Sequence, residues 1–231
     1  MSLFLWLYLL QLPSTTPFYA EGSLVNAASQ TVDRVAPNTI LTLYGAHLRF
    51  PDTDVRIYRG GTLLPIFFSS SGQVNFLLPA NTVPGQHFIQ LGRAGLVGPR
   101  IPIRVREQAP ELFATPENWL LATRPDGNLI TKDNPARPGE TIVFYGTGFG
   151  PLLEGPFAKT KISWLEFLTE FNVLLNGEPQ PGLYYAGTAP EFEGLYQVNY
   201  TLPAMAEANP EIRVSARGDQ SRAGTRLWFR P

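Results

Sequence analysis

Two stretches of the chain, QVNFLLPA at 73–80 and YQVNYTLPA at 196–204, alternate between apolar and polar positions in nearly the same letters. Val74, Phe76 and Leu78 fall on one side of the first, and Val198, Tyr200 and Leu202 on the same side of the second. A period of two residues is that of a half-buried strand, and Pro79 and Pro203 end each run because proline cannot donate to a ladder. Upstream, PNTILTLYGAHL (37–48) pairs with PGETIVFYGTGF (138–149). That match sets Pro37 against Pro138, Tyr44–Gly45 against Tyr145–Gly146, Leu48 against Phe149, and Leu41 and Leu43 against Ile142 and Phe144. A third pair, YRGGTLLP near 58–65 and LLNGEPQP near 174–181, places Gly61 and Gly177 at the same hairpin turn.

The separation between partners is 101 residues at the Tyr–Gly pair, 116 at the turn and 124 at the Gln–Val–Asn phrase. The second copy therefore holds about 15 extra residues between Gly150 and the turn, and about 8 more near GTAPEFEG. Insertions between strands fall in surface loops, where extra length is tolerated. Three motifs in preserved order mean a duplication. The alternation predicts strands near 39–45, 54–59, 63–69, 72–78, 86–91 and 101–106 in copy one. In copy two it predicts strands near 119–124, 128–131, 140–146, 171–176, 182–186, 195–202, 211–216 and 225–230, with Asp126–Gly127 as a hairpin signal. Many short strands without a helical period give an all-β fold of two tandem immunoglobulin-like β-sandwiches, the second with an insertion of about 15 residues. The expected sandwiches span 22–108 and 109–231, joined by an accessible linker, REQAPELFA (106–114), that proteases should cut early. KISWLEFLTEF, inside the insertion, reads as a short helix or an extended loop.

Composition agrees with this class. Among 231 residues there are 21 glycines, 22 prolines and 16% charged residues, against roughly 25% charged in an average domain. The net charge of −1 supplies no global field for nucleic acid. Arg93, Arg100, Arg104 and Arg106 cluster, and alternation in RIPIRVRE puts Arg100, Arg104 and Arg106 on one solvated strand face around Pro102. With no cysteine, disulfides, thiol catalysis, cysteine metal sites and lipidation at cysteine are excluded.

Residues 1–20 differ from the rest. LFLWLYLLQL (3–12) is an apolar run of ten residues, too short for a membrane span and of the length of a secretory signal core. Ala20 is the expected cleavage residue and Glu21 the mature start, although no Lys or Arg precedes the run and Phe18 is bulky. This implies an extracytoplasmic protein with no transmembrane span in the mature chain.

APNTILTLYGAHL and RPGETIVFYGTGFG resemble the opening of immunoglobulin-like E-set domains of the IPT/TIG type. More of the chain, roughly 22–231, is similar to the uncharacterised C-terminal domain family of Solibacter-type secreted proteins of Acidobacteria. LVNAAS (24–29), LYGAHL, SGQVNFLLPA (71–80), PDGNLIT (125–131), NPARPGETIVFYGTGFGP (134–151) and YYAGTAPEFEGLYQVNYTLP (184–203) carry that resemblance. It implies fold and export, and no chemistry.

Candidate chemistry is sparse. His47 and His87 lack zinc spacing, no Gly-x-Ser-x-Gly elbow occurs, and GTGFG lacks the following helix that a phosphate cradle needs. Asp52 with Asp54, and Glu191 with Glu193, are the carboxylate pairs to test against glycosidase or calcium chemistry; turn chemistry accounts for them equally. We expect no catalytic residue, no metal and no cofactor. Asn75 and Asn199, duplicated within strands that disfavour Asn, are expected to bond a nearby loop backbone. Trp164, Tyr184 and Tyr185 are the candidate ligand platform, with the competing expectation that the insertion covers the linker and Trp164 is interdomain core. The resulting expectation is a non-catalytic binding or structural module whose partner is a protein or polysaccharide at the cell envelope. A carbohydrate-binding module is the alternative and a hydrolase the remote one.

Overall fold

The computed structural model describes residues 16–50, 54–153, 162–204 and 207–231. The apolar run at 3–12, Asp52 and the first part of the insertion lie outside them. The described residues form strands, isolated bridges and 3-10 turns, with no α-helix among them. No helix in this set is long and apolar enough to cross a membrane.

Copy one contributes β1 (Leu24–Asn26), β2 (Thr39–Tyr44), β3 (Val55–Arg59), β4 (Thr62–Leu64), β5 (Ile66–Ser69), β6 (Gln73–Leu78), β7 (Gly85–Arg93), β8 (Leu96–Val97) and β9 (Ile101–Val105). Copy two contributes β10 (Glu111–Leu112), β11 (Ala122–Thr123), β12 (Thr141–Thr147), β13 (Phe171–Leu175), β14 (Glu178–Gln180), β15 (Leu183–Ala189), β16 (Phe192–Thr201), β17 (Ile212–Ala216) and β18 (Asp219–Gln220). The sheet orders are β1-β2-β6-β5 and β4-β3-β7-β8 in the first, and β10-β12-β16-β15 and β14-β13-β17-β18 in the second. Along these four-strand paths the two antiparallel sheets correspond, while β9 pairs with β7 only in the first copy and β11 with β12 only in the second. Each pair encloses its own apolar cluster, one drawn from Tyr19 to Val105 and the other from Leu112 to Phe229. These are two immunoglobulin-like β-sandwiches.

The duplication holds at the level of register. Val74 faces Leu43 and Phe76 faces Leu41; Val198 faces Phe144 and Tyr200 faces Ile142. The hairpins β3–β4 and β13–β14 turn on Gly60–Gly61 and Asn176–Gly177, all four at positive φ, as a two-residue turn matching strand twist requires. The Tyr–Gly pair has a steric cause. A Cβ on Gly45 would collide with the Phe18 carbonyl and sit 2.9 Å from Leu48, and one on Gly146 would collide with Phe149 and the Glu111 carbonyl. The buried Leu48 and Phe149 thus fold back over a bare backbone.

Asn75 and Asn199 bond otherwise than expected. Each accepts the side-chain amide of the glutamine two residues earlier, Gln73 or Gln197, at 2.8 Å in both copies. Residues i and i+2 share a strand face, so in each copy the glutamine amide is held by the asparagine beside it on the same strand.

One duplicated position carries a cost. Tyr200 is the counterpart of Phe76, and its buried hydroxyl has no partner among the described residues; burial pushes its pKa up to about 12. An unsatisfied buried hydroxyl is unfavourable by about 1–3 kcal/mol. Tyr200→Phe is therefore expected to leave stability unchanged or raise it by about 1 kcal/mol. A loss above that in urea unfolding would contradict the assignment.

Two predicted strands do not form ladders and a third is cut short. Of 119–124 only β11 remains, and 128–131 and 225–230 contribute isolated bridges. Arg226 meets Trp119 in parallel and Glu211 antiparallel, while Phe229 meets Ala136 in parallel. The segment changes partner too often for a strand to propagate.

The expected accessible linker is also corrected. Gln108, Glu111, Ala109 and Leu112 are buried, Arg106 N donates to Val35 O at 2.8 Å, and Glu111–Leu112 is strand β10. Limited proteolysis with mass mapping is expected to find no early cut within 108–112. Rapid cleavage there would contradict the packed junction.

Candidate functional site

The two sandwiches meet where the end of β12 and the start of β16 touch the outer face of β2 and β6. Thr147 closes β12, and its Oγ1 accepts the Ile40 N–H at 3.0 Å while donating to Gly194 O at 2.8 Å. Asn38, at φ 59, donates from Nδ2 to the Tyr196 hydroxyl at 2.9 Å, and that hydroxyl donates to Gly150 O. Complete burial holds the Tyr196 hydroxyl well above the usual phenol range, so it stays a protonated donor. A Cβ on Gly148 would collide with the Ala109 carbonyl and lie 3.0 Å from Thr39 Oγ1; one on Gly194 would meet Leu77 at 2.5 Å. Within GTGFG, Gly148 thus packs against the Ala109 backbone and reaches Thr39 of the first sandwich. His47, the counterpart of Gly148, is likewise at positive φ, 57 against 74, but at an exposed position.

Beside this junction lies a cleft of about 920 Å³ between β5 and the β15–β16 hairpin. Pro65, Phe67, Leu77 and Pro79 line one side, and Leu152, Ala189 and Phe192 the other. Phe67 is 51% and Phe192 65% exposed. Glu191 and Glu193 sit at its rim on the hairpin tip, both exposed.

The expected platform residues separate. Tyr184 is 76% exposed, whereas Tyr185 is buried and its hydroxyl donates to Thr188 O at 2.7 Å. Burial raises the Tyr185 pKa against that hydrogen bond. Trp164 packs edge-on against Tyr185, centroids 4.8 Å apart and planes at 70°. The three rings do not form one flat face. Trp164 also bridges to Gly187, and Leu165 N donates to Ala186 O at 3.0 Å. The described part of the insertion thus lies along the edge of β15, and Trp164 packs within copy two instead of between the sandwiches. Its KISWLEFLTEF stretch is extended at Trp164–Leu165 and turns through a 3-10 segment at Leu168–Glu170.

Other candidates stay apart. Asp54 pairs with Arg56 at 2.7 Å on the surface. His87 Nε2 lies 2.7 Å from Val83 O, and the His47 ring lies 5.8 Å from that of Phe50. Among the described residues no group of three His, Cys, Asp or Glu converges. The arginine cluster also divides. Arg100 lies over the Phe88 ring at 4.8 Å, Arg93 is buried over Phe50 at 4.1 Å, and Arg106 reaches Asp219 of the other sandwich at 2.8 Å.

Phe67, Phe192, Asn38 and Thr147 were not singled out from sequence. The available signal was the adjacent pair Phe67–Phe68, which breaks alternation because a bulge between Ile66 and Phe68 inserts one residue into β5.

An IPT/TIG domain is present: residues 31–100 match that family. No curated protein matches. Among solved structures, SGBP-B of the Bacteroides ovatus mixed-linkage glucan utilization locus, in complex with a mixed-linkage heptasaccharide, is 13% identical over 85% of this chain and 43% of its own, with a TM-score of 0.39. The surface glycan-binding protein PbSGBP-B from Prevotella bryantii is 14% identical over 94% and 43%, with a TM-score of 0.30. Domains 5–6 of the S-layer protein SbsC are 8% identical over 93% and 98%, with a TM-score of 0.34. The chain spans about two-fifths of the length of the two glycan-binding proteins.

Proposed function

We propose that this chain is a non-catalytic binding module, acting outside the cytoplasm, that holds a partner protein in the cleft between its sandwiches. One observation carries the reading: the cleft walls are apolar and expose Phe67 and Phe192. Exposed aromatics around a concave apolar surface are what protein anchors bury. The apolar run at 3–12 and the motifs resembling Solibacter-type exported proteins support the location.

The test is capture from the organism's own cell envelope. Phe192→Asp is expected to reduce partner retention at least tenfold without shifting the unfolding midpoint, since this side chain is largely solvent-facing. Retention equal to the unchanged protein would sink the reading. The exposed Tyr184 favours one alternative, stacking on a sugar ring. Affinity electrophoresis against a polysaccharide panel separates the two: retardation that Tyr184→Ala abolishes would establish a carbohydrate-binding module instead.

A further inference from the structure

The outer edges of the two sheets are equivalent but differently covered. The bulge in β5 falls between Ile66 and Phe68, opposite Phe76 and Asn75; that in β15 falls between Leu183 and Tyr185, opposite Tyr200 and Asn199. Phe76 with Asn75 is the counterpart of Tyr200 with Asn199, so the bulge itself is duplicated. Phe67 then corresponds to Tyr184, Phe68 to Tyr185 and Ser69 to Ala186. In copy two Trp164 covers Tyr185, which is 9% exposed, and Leu165 N bonds Ala186 O. Copy one has no such insertion. Phe68 is 49% exposed, and β5 pairs only with β6 among the described residues. The Ser69 carbonyl there accepts the exposed Arg49 guanidinium at 3.1 Å.

We propose that the β5 edge of the first sandwich takes, from a partner protein, the kind of extended segment that covers β15 within this chain: an aromatic residue laid on Phe68, the next N–H donating to Ser69 O, and a carboxylate following. The inference rests on the protein-binding reading above and supplies its chemistry. Strand addition to an edge uses main-chain bonds for affinity and side-chain contacts for selection. Ile66, Phe67, Phe68 and Ser69 carry no charge to repel a strand, a protection that edges commonly have. Arg49 gives the edge its charge preference, and the covering segment of copy two reads Trp164-Leu165-Glu166. One departure fixes the register. Gly187 leaves room for the Ser163 carbonyl, but its counterpart in copy one is Ser70, so the occupant starts at the aromatic residue and runs toward Phe67. Pro65 and the bulge keep the contact to a few residues.

The probe is a synthetic acetylated peptide Trp-Leu-Glu-Phe amide, titrated to millimolar concentration against the isotopically labelled full chain and read by amide chemical shifts. Shifts confined to Ile66–Ser69 and Arg49 are expected. Methylating the peptide nitrogen of the residue after Trp, or Phe68→Ser in the protein, is expected to weaken binding at least tenfold. No shifts at this edge, or shifts that survive both changes, overturn the proposal, as does concentration-dependent pairing of two copies through β5. If the peptide fails while Phe192→Asp still abolishes envelope capture, the cleft reading stands and the edge assignment falls.

Discussion

Shortening Tyr19 to alanine is expected to cost about 3–5 kcal/mol, the usual range for deleting a buried ring. Tyr19 is 3% exposed and belongs to the core cluster of the first sandwich. Its hydroxyl accepts the Leu91 N–H at 2.8 Å and donates to Pro99 O at 2.8 Å. Gly98 is bare because a Cβ there would overlap the tyrosine ring. The neighbouring Phe18 bridges to Ala46 with backbone bonds of 2.9 and 2.8 Å. Burial raises the Tyr19 pKa, with the Leu91 hydrogen bond opposing, so the ring stays neutral. Tyr19→Phe keeps the packing but strands the Leu91 N–H, and about 1–3 kcal/mol should be lost. Urea unfolding of both variants, with the alanine variant losing clearly more, checks the two contributions separately. The result bears on processing. A chain beginning at Glu21 lacks this ring, so mass spectrometry of exported protein is expected to find a mature N-terminus at or before Phe18. A mature chain that starts at Glu21 and unfolds at the same urea concentration would contradict the packing role.

The duplicated phrases made most of this fold legible. Alternation separates residues facing a core from residues facing out, and the glycine turns fix which strands are hairpins. Neither reports what covers an outward face. Leu77 breaks the alternation of β6 by standing apolar between Phe76 and Leu78, and it does so because Gly194 of the other sandwich lies against it. Gly148 and His47 show the same limit. Aligned, they look like an unexplained difference, yet both stand at positive φ, and only Gly148 also meets another backbone. Trp164 was legible as an unusual residue in an inserted segment. Its partner was not, because the edge it covers is defined by a bulge that adjacent aromatics only hint at. The candidate cleft lies where the copies meet, and a repeat read as two separate units carries no signal for such a place.

That junction holds the second large effect. Glu111 is 2% exposed; its Oε1 accepts Arg34 Nε at 2.6 Å, and its Oε2 accepts the Arg222 N–H at 3.3 Å. Arg34 Nη2 also donates to Pro110 O at 3.2 Å and to Gln220 O, so one guanidinium from the first sandwich is held by three groups on the second. Glu111→Leu leaves that guanidinium largely buried without its carboxylate. Breaking a buried pair from one side typically costs about 3–5 kcal/mol. Glu111→Gln keeps the shape and an acceptor for Arg34, so a smaller loss is expected at neutral pH. Burial raises the Glu111 pKa above its ordinary 4.5, outweighing the pull of Arg34. A carboxyl raised in the folded state binds its proton more tightly there than in the unfolded chain. Its stabilising contribution is therefore complete below the unfolded value and lost as pH rises through the folded one. Relative to Glu111→Gln, the unchanged protein should lose stability as pH rises above about 4.5. Parallel urea titrations at several pH values read this directly. A difference that grows in favour of the unchanged protein over that window would mean that Arg34, not burial, governs the carboxyl.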